Sequence, residues 1–251
     1  MIIKVISQNV MCWERSGIST YEIRRPLLNR LFHEYDADII CMQEVTPKWE
    51  QLFDKDLSDF EKILVYRSPK SPEAVPIYWN PKKFKALDSG YFWLSETPNE
   101  ESSSWNSGYI RITNWVYLKD LDSKIDFVVV NTHLDNVSVE ARINGLQLIC
   151  DFVKGKFSYE TPVILTGDFN SSPESATIQK ANSLFRDTRK FSLDTSSEIT
   201  YHSYGEKNPC IIDYIFTNDN VKSNKFDVIK IFDKENRPQS DHYAVFAELE
   251  I

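Results

Sequence analysis

A chain of 251 residues with 41% hydrophobic and 13% aromatic side chains has the apolar material for a sizeable buried core, which excludes a disordered polypeptide. Its 37 acidic and 29 basic side chains give a formal charge of −8, which speaks against wholesale coating of a long polyanion and favours small or single-stranded partners. Cys12, Cys41, Cys150 and Cys210 are scattered with no C-x-x-C pair, so they read as reduced packing residues rather than a zinc site or a disulfide framework.

The chain opens on an apolar alternating run, "MIIKVISQNV", with no charged stretch ahead of a long apolar one, so no signal peptide is expected. No run reaches the roughly 20 apolar residues of a membrane span, and a cytoplasmic protein is the simplest expectation. The opening run predicts a strand over 2–10 that ends at Asn9. Leu27, Leu28, Leu31, Phe32 and Tyr35 form one stripe, predicting a helix over 21–35. "DIICMQEV" predicts a strand in 38–45 with Glu44 near its end, and Thr46-Pro47 reads as a cap and first helical position for a helix to Leu57. Short strands are expected at 60–66 and 75–79, separated by a Ser- and Pro-rich loop over 67–74 that holds Glu73. A second exposed loop covers 95–107, and a strand over 109–119 follows with Arg111 inside "YIRITNWVYL". The strand over 125–134 ends in His133, with Asp135 and Asn136 close behind. Ser138 then caps a helix whose buried face is Ile143, Leu146, Ile149, Cys150 and Val153. "VILTGDFN" gives a strand over 162–168 ending in Asp168 and Asn170, and a short helix follows Pro173. Three last strands are expected over 211–217, with Asp213 embedded among apolar residues, over 226–232, and over 242–250, opened by Asp241 and His242. Strands outnumber helices and several follow one another directly. That order predicts two packed sheets with helices on their outer faces, in one domain over 1–251.

Taken singly, each polar strand end reads as a turn or a cap, and Asp168-Phe169-Asn170 begins like a calcium loop. The calcium reading fails, because the sixth position is Pro173 rather than Gly and the twelfth is Gln179 rather than Glu. Six polar strand ends together point to one edge of the sheets, where sites are built. Asp213 is the sharpest of them, since a carboxylate inside an apolar strand must find a partner. Asn9, Glu44, Asp168, Asn170 and Asp241 are hard oxygen donors without a thiolate among them, a set suited to Mg²⁺ or Mn²⁺. His133 and His242 add proton-transfer and oxyanion-stabilising capacity, and a hard cation beside imidazoles suits a phosphate ester. No G-x-S-x-G elbow and no phosphate-cradling glycine loop are present, so those designs are set aside. His33 and His202 lie outside the clusters and read as surface residues.

The ordered set "QN" (8–9), "QE" (43–44), "NTHLD" (131–135), "GDFN" (167–170), "IDYIF" (212–216) and "SDH" (240–242) resembles the endonuclease/exonuclease/phosphatase superfamily over nearly the whole chain. Each motif is weak alone, and six in this order are specific. The resemblance implies a four-layer α/β/β/α sandwich and metal-dependent hydrolysis of a phosphoester, with a nucleic acid or nucleotide ahead of a lipid or sugar phosphate as substrate, and no obligate protein partner is evident. It implies Glu44 as principal metal ligand, assisted by Asn9 and Asp241, and Asp168 as the residue that orients or deprotonates the attacking water. Asn170 would hold the phosphate, His133 would contact it or assist the leaving group, and His242, oriented by Asp213, would bind a phosphoryl oxygen. Glu73 resembles an acidic residue that pairs with the first catalytic His in some members, or is an ordinary loop glutamate. Arg111 resembles a phosphate-binding arginine, or pairs across the sheet, and Asn136 is a further substrate contact. Arg142 reads as a structural residue. Trp93, Trp105 and Trp115 are either a stacking platform or core packing, with core packing the default. The chain lacks the Cys-Asp-Arg of the 5-phosphatases and the deadenylase-like pattern after "HL", which leaves a bacterial branch of undefined substrate, or a binding module that kept the fold and lost catalysis.

Overall fold

Alternating apolar residues commit the first segment to a strand, and the computed structural model, which describes residues 1–196 and 198–251, places it in the middle of a sheet. β1 (Ile2–Asn9) pairs in parallel with β2 (Ile39–Gln43), with α1 (Tyr21–Glu34) crossing between them. α2 (Pro47–Asp56) follows, its first turn closed by Thr46, whose hydroxyl accepts from the Trp49 amide. β3 (Glu61–Ile63) and β4 (Ile77–Trp79) complete one edge of this sheet. β5 (Phe84–Trp93), β6 (Ile112–Asp120) and β7 (Asp126–His133) then run antiparallel in a second sheet. α3 (Val139–Lys156), capped by the Ser138 hydroxyl as expected, returns the chain so that β8 (Val163–Asp168) lies parallel to β7. After α4 (Ala176–Asn182) come β9 (Arg186–Asp187), α5 (Thr188–Phe191) and β10 (Asp194–Thr195). β11 (Asp213–Thr217) joins the second sheet, while β12 (Lys222–Ile229) and β13 (Ala244–Glu250) return to the first.

The sheets read β10-β12-β13-β1-β2-β4-β3 and β5-β6-β7-β8-β11-β9. Their inner faces share one apolar cluster, in which Ile3, Val5 and Val245 of the first sheet meet Val129, Ile164 and Ile215 of the second. A second cluster packs α1 and α2 on the outer face of the first sheet, and a third packs α3 and α4 on the outer face of the second. The result is the four-layer α/β/β/α sandwich. Among the described residues no helix is long and apolar enough to cross a membrane.

Two departures from expectation have local causes. β5 was not foreseen: Asp88, Ser89 and Gly90 sit inside it, and a bulge between Ala86 and Asp88 absorbs the broken alternation. β12 begins at Lys222 rather than 226, because its polar first half pairs with β13 at the sheet's exposed end.

Two features align the sheets beneath the polar strand ends. Gln43 on β2 donates to Asn131 on β7 at 2.8 Å and to Ser7 at 3.1 Å, while the Asn131 amide donates to the Met42 and Pro76 carbonyls at 2.7 and 2.9 Å. This buried network crosses between the sheets with its side-chain nitrogens satisfied. In the second sheet, Asp168 is in register with His133 on one side and Asp213 on the other, so the three lie in one row.

Candidate functional site

The row His133–Asp168–Asp213 is built by strand pairing, and loop backbones bring the rest to it. Glu44, just past β2, has φ +62° and Asn170, just past β8, has φ +47°. Left-handed backbone is ordinary for Asn and costly for Glu, and such strain gathers at functional sites. The turn at Glu44 brings its carboxylate under the Cys12 amide (2.8 Å) and the Asn9 side-chain amide (3.0 Å). Burial opposes ionisation of Glu44, but these hydrogen bonds prevail and hold its carboxyl below the usual range. Asn9 also donates to Asp168 Oδ2 at 3.1 Å, while its own oxygen accepts from the Met11 amide at 2.9 Å. Asn9, expected as a cation ligand, thus bridges Glu44 and Asp168 through its side-chain amide.

Asp168 is the hub. Its Oδ1 accepts from the Asn170 amide at 2.8 Å, and its Oδ2 lies 3.5 Å from His133 Nε2 and 3.9 Å from His242 Nε2. Burial first, then the neighbouring Asp213, raise its carboxyl to about 7, against the opposing pull of His242. His242 Nδ1 faces both Asp213 oxygens, at 2.9 and 3.1 Å. Burial disfavours a charged imidazole, yet Asp213 outweighs it and raises His242 well above its ordinary value, which favours the charged ring. His133 goes the other way: burial, then Arg111 and Arg67, hold it well below its ordinary value, which favours the uncharged ring.

A cleft of about 470 Å³ opens over this row. It brings together Glu44, Glu73, Arg111, His133, Asn136, Asp168, Asn170, Asp241 and His242, with Asn9 and Asp213 bonded to these residues from behind. Glu73 is a cleft residue, but it pairs with Arg67 rather than with a histidine. Arg111 meets Asp135 beyond the neighbouring strand, Nε to Oδ1 at 3.8 Å, and its Nη2 reaches Asn136 Oδ1 at 3.5 Å. Arg142 is structural, donating to the Asp135 carbonyl at 2.9 Å. His202 is a correction: it is half-buried, stacked on Tyr243 with centroids 4.4 Å apart and bonded to the Ser240 carbonyl at 3.0 Å, rather than a surface residue. Trp115 packs in the core against Phe152, and Trp93 donates to the Arg67 carbonyl at 2.9 Å. Neither they nor Trp105 line the cleft; Trp13 does. Arg67, Tyr109, Cys12 and Trp13 also line it and were not foreseen as site residues. For Arg67 the signal existed, since "LVYRSP" ends an apolar run in a charge, as the other site segments do.

The donors fit a hard divalent cation. Glu44, Asp168 and Asp241 line one cleft, Glu44 partly exposed and the two aspartates buried, and burial followed by the charge of Glu44 raises Asp241 as well. A cation beside Glu44 and Asp241 would offset the charge of these carboxylates. Cys12, within 4.8 Å of Glu44 and Glu73, is a poor competitor, because burial and both carboxylates push its thiol up. Asp168, Asp213 and His242 also lie within 4.8 Å of one another, but Asp213 is already spent on His242.

Comparison with known proteins gives a consistent result. The model of the Endonuclease/Exonuclease/phosphatase family matches residues 23–242. The chain is similar to the endonuclease/exonuclease/phosphatase of Bacteroides vulgatus, at 26% identity and TM-score 0.93, covering 100% of this chain and 99% of the other. It shares the fold of a mannosyl-6-phosphatase of Bacteroides thetaiotaomicron, at 24% identity and TM-score 0.88, over 99% and 100% of the two chains. It is 25% identical over 197 residues to a probable CCR4-Not complex 3'-5'-exoribonuclease subunit Ccr4 of Enterocytozoon bieneusi; the match takes in 65% of this chain and spans only 39% of that relative's length.

Proposed function

The chain belongs to the Endonuclease/Exonuclease/phosphatase family, and from that premise we propose that it is a divalent-metal-dependent phosphoester hydrolase acting as one unit over residues 1–251. The observation that carries this reading is the convergence of a buried carboxylate, Asp168, with the imidazoles of His133 and His242 at 3.5 and 3.9 Å.

Glu44 and Asp241 would hold Mg²⁺ or Mn²⁺, which when bound polarises the phosphoryl oxygens and offsets their charge. Asp168 orients the attacking water and takes its proton; a carboxylate disfavoured in its charged form is a better base than a free one. Asn9, bonded to both Glu44 and Asp168, keeps the cation ligand and the base in fixed relation. His242, held by Asp213, donates from Nε2 to a phosphoryl oxygen, and its fixed positive charge is worth most as that oxygen gains charge. Asn170 spends one amide hydrogen on the Leu134 carbonyl at 3.0 Å and has a second for the phosphate. His133, neutral and beside Arg111, serves the phosphate or the leaving group; Asn136 and Arg111 flank it as substrate contacts. Cys12, Cys41, Cys150 and Cys210 are all free thiols, as suits a reducing, cytoplasmic setting.

The test is hydrolysis of p-nitrophenyl phosphate, bis-p-nitrophenyl phosphate and a panel of oligonucleotides, nucleotides, lipids and sugar phosphates, with Mg²⁺, Mn²⁺ or EDTA. Turnover should require metal and vanish in Asp168→Ala with the fold intact. No metal-dependent turnover across the panel would make the chain a binding module of this fold.

A further inference from the structure

Beside Glu44 and His133, two guanidinium groups share one wall of the cleft. Arg67 and Arg111 flank the ring of Tyr109, each with its guanidinium carbon 5.3 Å from the ring centroid. Each arginine is only 5% exposed, whereas Tyr109 is 48% exposed and forms the rim between them. Arg67 is secured along one edge: Nη2 donates to Ser71 Oγ at 2.6 Å and to Glu73, and Nε donates to the Ser71 carbonyl at 3.3 Å. Arg111 is not secured. Its Nε is buried without a hydrogen-bond partner, and Nη2 has only the 3.5 Å contact to Asn136. Asp135 stands 3.8 Å from that Nε, but its oxygens already accept from the amides of Gly108, Tyr109, Val137 and Ser138. A buried fork with open donors, next to a second guanidinium that repels it, has the form of an anion site awaiting its ligand.

We propose that Arg67 and Arg111, aligned by Tyr109, clamp the extra charge and oxygen of a terminal phosphate, so that the substrate class is a phosphate monoester rather than an internal diester. This rests on the phosphoester reading above. A diester offers two non-bridging oxygens and one negative charge, while a monoester offers three oxygens and close to two charges at neutral pH. His242 and Asn170 with the cation serve the oxygens that both classes share. The two forks then meet the third oxygen of a monoester, and in a diester they would meet an esterified oxygen that accepts poorly. Arg67 thereby becomes a specificity residue, and Glu73 the residue that positions it.

The test reads binding as well as turnover. With Mg²⁺ present at pH 8, calorimetry should show inorganic phosphate binding the wild type at least about tenfold more tightly than dimethyl phosphate, the scale of one charge-assisted hydrogen bond. Arg67→Gln should lose about tenfold in phosphate affinity and in kcat/KM for p-nitrophenyl phosphate, with dimethyl phosphate binding and bis-p-nitrophenyl phosphate turnover changed less than about threefold. Circular dichroism checks the fold, and if Arg67→Gln fails to fold, Arg67→Lys, which keeps the charge without the fork, should show the same selective loss to a smaller degree. Equal loss on both classes, no loss, or a wild type that prefers the diester overturns the clamp. An absence of turnover alongside selective, Arg67-dependent phosphate binding would instead overturn the hydrolase reading and leave the clamp standing.

Discussion

A β-carbon added at Gly167 would come within 2.2 Å of the Thr132 carbonyl oxygen, at a φ of +153°. The glycine is therefore required by the close approach of β8 to β7, not by a bend after the strand. Gly167→Ala should cost about 2 kcal/mol or more, measured by urea unfolding, because backbone rather than a flexible side chain must yield. One residue on, Asp168→Asn separates chemistry from stability. Burial and Asp213 raise the Asp168 carboxyl to about 7, so at pH 8 the folded, metal-free protein carries a charge it disfavours. Asparagine removes that cost: turnover should disappear, while melting in EDTA occurs at or above the wild-type temperature. Asp213→Asn acts on the imidazole. Without its carboxylate partner at 2.9 Å, His242 loses the cause of its raised value, and kcat should fall roughly a hundredfold or more with little change in far-UV circular dichroism. These residues were legible in the chain because a carboxylate or imidazole closing an apolar run has few structural excuses, and several such runs close alike. The orientation of Asn9 was not legible, since whether an amide offers oxygen or nitrogen depends on neighbours brought from 159 positions away.

Between elements, the loop before β6 is held by one carboxylate. Asp135 accepts amide hydrogens from Gly108 and Tyr109 on that loop and from Val137 and Ser138 at the start of α3, at 2.8 to 3.2 Å. Ser138, besides capping α3, donates to the Trp105 carbonyl at 2.6 Å. The loop over 95–107, which reads as free surface from its Ser, Pro and Glu content, is thus tied to the helix behind the site, and Ser68 bonded to Glu101 at 2.6 Å ties it to the other loop. Asp135→Ala should cost about 1–3 kcal/mol and make the segment 95–108 the first site of limited proteolysis. An apolar stripe made α1 and α3 legible, and the Thr46-Pro47 start made α2 so. β5 escaped because turn-forming residues in its middle are tolerated only by the bulge and by pairing with β6, neither of which is written locally.

Across the whole molecule, two sheets deliver the site from both sides. Glu44 and Asp241 come from the first, and His133, Asp168 and Asp213 from the second. A cation bound on the first sheet's residues should therefore stabilise the assembled sandwich: at a Mg²⁺ concentration of 100 times Kd the gain is about 2.7 kcal/mol, seen as a rise in melting temperature that EDTA reverses and Asp241→Ala weakens. The four layers were legible from the count and order of strands and helices, whereas the strand order within each sheet was not, because it is decided by long-range pairings such as Ile2 with Glu250. That pairing governs when activity can arise. β13 lies inside the first sheet, between β12 and β1, and Asp241 and His242 come just before it. During synthesis β1 must wait for its neighbour on that side until some 240 further residues have followed. A nascent chain stopped short of β13 lacks both an interior strand and the pairing that seats the imidazolium. It would be an unfinished sheet, and the site would assemble only when β13 closes the gap.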